Sequence, residues 1–550
     1  MTDDLEALAG DYQSFCEREN PVWAHLSGRY ASAGSYTDIS RAAEDARIVA
    51  ARAFADRASS IDPAGLDAEQ RLTRTMIGWD AASTAERTAL RTADFGADPV
   101  FGAQASLGTH ISRFPLPTRE VAEAMVDKLA SVATYFTDLA ERHGDGVASG
   151  RTPAARAVVD TIDQLDGWLA SPLSEDRLLD IAPTPADVDR AELLGRLRDV
   201  VSERVRPALA TYRDVLRDAV LPHARPDDRV GLLHVPDGAA AYETLARFYT
   251  TTDLTPQEIH EIGLRQVAAL HEEYAELGPD VVGTDHVPSI LAALRDDPAL
   301  HHTDGAGVVD AAKAAMEKAR AVMGEWFGRL PQADCEVEAT TSGAVAYYIR
   351  PALDGSRGGA FFMNVTDPTG WGRYDVESTA YHEGIPGHHL QLAIAQELEG
   401  LPDVRRTAHV TAYIEGWGLY AERLADEMGL YASATDRMGM LTADSMRACR
   451  LVVDTGMHAL GWSRQRAIDY MLANTARSVG HATAEIDRYV VMPGQALAYM
   501  IGRLEILRIR EAAQRRLGDR FDIADFHDVV LGSGALPLTL LAEHVEARLP

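Results

Sequence analysis

The sequence is short of lysine, of cysteine and of any long apolar run, and each shortage removes a class of protein. Lysine occurs only at Lys128, Lys313 and Lys318, and 53 Lys+Arg face 83 Asp+Glu, giving a formal net charge of 53 − 83 = −30. A nucleic-acid binder needs a basic face to neutralise phosphates, and this chain carries the opposite excess. Cysteine occurs at Cys16, Cys335 and Cys449 only, far apart and in no C-x-x-C pair. That excludes a disulfide framework and fits a reducing compartment. No apolar stretch approaches the roughly 18 residues of a membrane span, and the opening Met-Thr-Asp-Asp-Leu-Glu is acidic where a signal peptide is basic and then apolar. The expectation is a cytoplasmic protein with no membrane or nucleic-acid partner.

What is present is ordinary for a large folded protein: 550 residues, 46% hydrophobic and 25% charged. Up to about residue 230 the pattern is helical, with apolar residues three and four apart, as in the stripe Leu193, Leu194, Leu197, Val200, Val201 and Val205. Thr255-Pro-Gln-Glu258 starts a helix by three agreeing signals: a Thr cap, Pro at the first helical position and Glu three residues after the cap. Near residue 344 the period changes. Ala344–Arg350 and Ala360–Val365 read as two strands, with Asp354-Gly-Ser-Arg-Gly-Gly as the turn between them. Helices resume after residue 375. The expected organisation is a single catalytic unit over 1–550. Its helical N-terminal portion of roughly 1–230 and its remaining portion, 231–550, do not fold independently.

The chemistry concentrates in Tyr381-His-Glu-Gly-Ile-Pro-Gly-His-His-Leu-Gln391. In an H-E-x-x-H helix, two histidines four apart share a face and bind zinc, and the intervening Glu activates a water. Here His382-Glu383 begins correctly, but position 386 is proline. On a straight helix His388 lies about 240° round from His382, and His389, though back on the same face, lies ~10 Å up the axis. Neither can share an ion with His382 at a ligand distance of ~2.0–2.1 Å. Pro386 cannot donate to the carbonyl of residue 382 and Gly387 is conformationally free, so the helix should break or bulge there. Two looped-out residues would restore the approach, with His388 preferred to His389 as the second ligand.

Catalytic zinc takes three protein ligands. Downstream, Glu415 and Glu422 share a face of Ala412-Tyr-Ile-Glu-Gly-Trp-Gly-Leu-Tyr-Ala-Glu422, among Tyr413, Trp417 and Tyr420. A carboxylate in such surroundings needs a partner. Glu415 is the candidate third ligand. Glu422 is the candidate to orient a ligand histidine, its competing reading being a surface ion pair with Arg423.

The decamer His382–Gln391, the Glu415-Gly-Trp-Gly-Leu-Tyr420 segment, Val453-Asp-Thr-Gly-Met-His458 with Gly461-Trp-Ser, and Pro493-Gly-Gln-Ala-Leu-Ala-Tyr499 resemble the bacterial domain of unknown function 885 family. So do the tail from Gly518-Asp-Arg-Phe-Asp through Phe526-His527 to Leu531-Gly-Ser-Gly-Ala-Leu-Pro537, and Val235-Pro-Asp-Gly and Thr250-Thr-Thr-Asp nearer the start. That family resembles the glutamate-zincin peptidases, especially the thermostable carboxypeptidase and oligopeptidase groups. The resemblance implies a mainly α fold: a large helical zincin-like body with a deep cleft and a small β-hairpin or sheet next to the metal-site helix. It also makes Gly384-Ile385 the inserted pair and His388 the ligand.

With Zn²⁺ held by His382, His388 and Glu415, Glu383 is the general base and Tyr499 the first candidate to stabilise the oxyanion, with His458 and His527 behind it. The expected function is zinc-dependent hydrolysis of amide bonds in short peptides. The alternatives are metal-dependent chemistry on a small non-peptide or modified amino-acid substrate, and a non-catalytic scaffold. An extended peptide could add to the edge of the hairpin, and Arg350, Arg357 and Arg503 are candidates to hold a substrate carboxylate.

Overall fold

The computed structural model describes residues 3–341, 343–352, 355 and 357–549. The chain divides into two compact units, Met1–Ala241 and Tyr242–Pro550. It is mainly α-helical, with one three-stranded sheet among the described residues.

The first unit is helical throughout. Asp67 opens the helix Ala68–Ala89 with a reciprocal cap in which its carboxylate takes the Gln70 N–H and the Gln70 side chain takes the Asp67 N–H. The stripe read from the sequence is buried at Leu193, Leu197, Val201 and Val205, all fully inaccessible. Four-residue steps drift about 40° each on an ideal α-helix, so a stripe held at that spacing needs a wider turn. The backbone supplies one: Arg190–Val200 passes through a π turn at Val201–Val205 before continuing as Arg206–Val215.

In the second unit the helix Pro256–Val282 begins as its sequence dictates, with Thr255 and Glu258 capping each other and Pro256 in the first turn. It lies close against the long helix Ala434–His458. A Cβ on Gly263 would stand 2.8 Å from Leu451 Cβ. The sheet holds more than the expected hairpin. β2 (Ala346–Ile349) pairs antiparallel with β3 (Gly359–Asn364), Ile349 opposite Ala360, and a further strand, β1 (Cys335–Thr340), pairs parallel with β3 on its other side. The strand order is therefore β1-β3-β2. Ala344 and Arg350, read as strand residues, lie outside β2. Asp354 and Ser356 of the expected turn lie outside the described residues.

Two glycines let the helix Thr411–Glu427 approach Ala498–Leu517 at backbone distance. A Cβ on Gly416 would lie 2.6 Å from Gly502 Cα, and one on Gly502 only 2.1 Å from the Ala412 carbonyl oxygen. No larger residue fits at this crossing. It fixes the position of the helix that carries Glu415.

Candidate metal centre

The helix Asp375–Glu383 ends where Pro386 predicts a break, and a new helix, His388–Gln396, starts five residues later. The connection Gly384–Gly387 folds tightly over the end of the first helix. A Cβ on Gly387 would be 2.0 Å from the His382 carbonyl oxygen, and one on Gly384 would be 2.1 Å from Met316 Sδ. Trp417, fully buried, donates its indole N–H to the Pro386 carbonyl at 2.9 Å and ties this connection to the Glu415 helix. The consequence is that His382 and His388 meet, ring centroids 4.6 Å apart and planes at 77°.

Glu415 comes from the third helix. Its Oε2 lies 3.6 Å from His382 Nε2 and 3.4 Å from His388 Nε2, and the ligand atoms of the three residues all fall within 4.8 Å of one another. The two separations from Glu415 suit a shared cation. Ligands ~2.0–2.1 Å from a tetrahedral ion stand about 3.4 Å apart along each edge.

The tautomer also fits. His382 Nδ1 donates to Glu422 Oε1 at 2.7 Å, which leaves Nε2, the nitrogen facing Glu415, as the one to give up its proton to a cation. Glu422 is buried and has Arg447 at 3.6 Å. Arg423, its alternative partner from the sequence, is engaged by Glu273 and Asp444 instead. His382 lies directly on Gly418, where a Cβ would come within 2.7 Å of its Cε1. Thus Gly418 makes a cradle that only glycine leaves open.

Charge points the same way. Burial would lower the pKa of His382, but its contacts with Glu415 and Glu422 push it up to about 9. Burial would raise Glu415, yet His382 and His388 hold it well below the usual carboxylate range. Carboxylates thus crowd two imidazoles in a buried place, and a divalent cation is the natural complement. Nδ1 of His388 is buried with no hydrogen-bond partner among the described residues, so the outer brace given to His382 has no counterpart there.

His389, the other candidate ligand, is spent on structure: Nδ1 meets the Tyr348 hydroxyl and Nε2 the Ala333 carbonyl, both at 2.9 Å. Glu383 is half-buried beside His382 and enters no hydrogen bond or ion pair among the described residues. Tyr499 is half-buried under the Arg450 guanidinium, 4.4 Å from its ring, and close enough for the Glu415 charge to add to the burial that raises its phenol. The two runners-up are occupied elsewhere. His458 meets the Tyr489 carbonyl at 3.0 Å, and His527 is bonded to Tyr420 Oη and the Trp326 carbonyl, both at 2.8 Å. Sequence reasoning missed Gly418, the Trp417 tie and the Tyr348–His389 bond. Of these only Gly418 left a signal, a glycine inside a helix one turn after Glu415.

Fold and site define a mainly α-helical protein in which the helices Asp375–Glu383, His388–Gln396 and Thr411–Glu427 bring two histidines and a glutamate to one point. The chain belongs to the family described as "bacterial protein of unknown function (DUF885)", whose model matches residues 21–545. The crystal structure of a "putative lipoprotein" from Colwellia psychrerythraea is similar with a TM-score of 0.92 and 25% identity, over 99% of this chain and 98% of that one. A "putative lipoprotein of unknown function" from Shewanella oneidensis shares the fold at a TM-score of 0.77 and 17% identity, over 98% and 99% of the two chains. No curated protein matches the chain.

Proposed function

We propose that this protein is a zinc-dependent hydrolase that cleaves amide bonds in short peptides. The supporting observation is the convergence of His382, His388 and Glu415, with Glu415 Oε2 3.6 and 3.4 Å from the two Nε2 atoms and Glu383 beside them in no ion pair among the described residues. A zinc ion held there supplies Lewis acidity toward the scissile carbonyl and toward water. Glu383 takes the proton of the attacking water and returns it to the leaving nitrogen, so that water adds to the carbonyl carbon as the C–N bond breaks. Tyr499 would donate a hydrogen bond from its phenol to the developing oxyanion and keep its proton. Glu422 keeps the His382 imidazole in its ligating tautomer.

Metal analysis and a peptide library test this reading together. Protein purified without chelators should carry zinc, and less than about a tenth of an equivalent would sink it. Hydrolysis of di- and tripeptides should fall ~10²–10⁴-fold in Glu383→Gln, the range a general base supplies. Zinc without any cleavage across the library would favour a small non-peptide substrate. We place the protein in a reducing compartment because its three cysteines are unbridged; no described helix is long and apolar enough to cross a membrane. The lipoprotein name of its structural neighbours is the competing reading, and fractionation of the producing cells separates the two.

A further inference from the structure

Two of the arginines that qualify on sequence as carboxylate holders are spent within the second unit, Arg503 on Asp444 and Arg357 on the carbonyls of Gly358 and Arg350. The first unit holds a recess of the opposite character. It is a cavity of about 280 Å³, lined by the rings of Tyr36, Phe101, Tyr135 and Tyr212, with Asp98 and Gln104 in its polar lining.

Local structure explains how these residues meet. Tyr135 stands on the helix Arg119–Ala148, and Tyr36 is tied to the same helix, its backbone N–H donating to Ser131 Oγ at 2.9 Å. The two rings meet edge to face, centroids 5.1 Å apart and planes at 90°. The turn Asp98–Gly102 brings the acid. Asp98 Oδ1 accepts the N–H groups of Val100 and Phe101 at 2.8 and 2.9 Å, and a Cβ on Gly102 would stand 2.2 Å from the Asp98 carbonyl oxygen. Only glycine fits there, so the turn is tight and the carboxylate is fixed. Phe101 is 54% exposed and Tyr212 1%, so the recess runs from the surface of this unit into its core.

The lining is one-sided in charge. It includes one carboxylate and no Arg, Lys or His, and Asp98 enters no ion pair among the described residues. Its backbone donors favour the ionised form, yet burial outweighs them and raises its pKa. The hydroxyls of Tyr36, Tyr135 and Tyr212 make no hydrogen bond among the described residues, which leaves their oxygens to accept one from a guest. A half-buried carboxylate calls for a counter-charge. A single carboxylate with no imidazole or thiolate is a poor ligand set for a metal ion. Aromatic rings, by contrast, attract an organic cation within ~6 Å through their quadrupoles and also cover its apolar body. The volume lies just below the ~300–1,000 Å³ of common ligand sites and restricts the guest to a small one. We propose that this cavity binds a small organic ammonium group, with Asp98 as its counter-ion and the tyrosine rings as an aromatic cage. The site uses no residue of the metal centre and is independent of the hydrolase reading.

Calorimetric titration of the full chain with choline, and with the uncharged isostere in which carbon replaces the ammonium nitrogen, tests the role of charge. Choline should bind at least ~10-fold more tightly. Asp98→Asn keeps an acceptor for the Val100 and Phe101 N–H groups while removing the charge, and choline affinity should fall ~10–100-fold with that of the isostere unchanged. Tyr135→Leu should weaken choline ~3–30-fold, whereas Tyr135→Phe, which keeps the ring, should stay within about threefold of wild type. A tripeptide bearing trimethyllysine separates the two sources of such a group: tighter binding of choline assigns a free ion, tighter binding of the peptide a side chain. Equal affinity for choline and its isostere overturns the assignment, as does binding of neither choline nor the peptide up to about 10 mM. Unchanged choline binding in Asp98→Asn overturns it too. If that variant does not fold by circular dichroism, the wild-type comparison of charged and uncharged guest decides.

Discussion

At the scale of single residues, the centre depends on atoms that are absent as much as on those present. Gly418→Ala puts a methyl group within 2.7 Å of His382 Cε1, and the imidazole must move off its line to Glu415. We expect this variant to fold and to lose zinc, read by metal analysis beside circular dichroism. Retention of a full equivalent would show that the cradle is dispensable. Glu422→Gln keeps the shape but offers Nδ1 a neutral partner, and zinc affinity should fall ~10–100-fold in competition with a chromophoric chelator. The two adjacent histidines should differ sharply: His388→Ala loses the metal, whereas His389→Ala keeps it and loosens β2, whose Tyr348 it holds. His388 was legible in the sequence because Pro386 forces a break that helix geometry makes necessary. Gly418 was not, because its partner lies 36 positions away and a single sequence records no such distance.

Among elements, the sequence spoke clearly where local rules govern. Thr255-Pro-Gln-Glu258 satisfies a helix start by itself, and the capped helix follows. β1 was lost because Cys335-Glu-Val-Glu-Ala-Thr340 reveals itself only by pairing with a strand that follows β2. The glycine crossing belongs here too. Gly502→Ala drives a Cβ into the Ala412 carbonyl and should cost ~1–3 kcal/mol of stability as overpacking, while displacing the Glu415 helix and weakening zinc binding. Gly324, exposed in the helix Gly305–Trp326 with nothing within 4 Å of its Cβ site, is the control: Gly324→Ala should stabilise by ~0.5–1 kcal/mol. Urea midpoints that move together for the two variants would refute this account of the crossing.

For the whole molecule, acid is the expected weakness. Burial lowers the pKa of His25 and His143 to about 4 and of His527 to about 3. An unfolded chain takes up these protons near pH ~6.5, whereas the folded one refuses them until far lower. Stability is therefore intact above pH ~7 and falls as pH drops through 6.5 toward 4, by up to ~1.4 kcal/mol per pH unit for each such histidine. His143 is stacked on Tyr212, with its Nε2 buried and without a partner among the described residues. His143→Phe should reduce the loss in unfolding free energy between pH 7.5 and 5.5 by about 1.4 kcal/mol, and an unchanged pH slope would contradict its buried neutral state. The net charge of −30 is spread unevenly: residues 401–550 hold 19 acidic and 17 basic residues, a net of −2, so the first 400 carry −28. The segment holding Glu415 and Tyr499 is thus nearly neutral, and the acidity reads as a solubility feature of the remaining body.

The break at Gly384–Gly387 has an electrostatic side. His382 occupies the last turn of one helix and His388 the first of the next, so a cation between them meets a carbonyl end and an amide end together. Macrodipoles of such short helices act mainly through their terminal turns, and here they oppose each other. The backbone field at the centre is thereby largely cancelled, and the attraction for a cation falls to the side-chain carboxylates. Affinity in this arrangement can be tuned by substitution at Glu415 and Glu422 without rebuilding either helix.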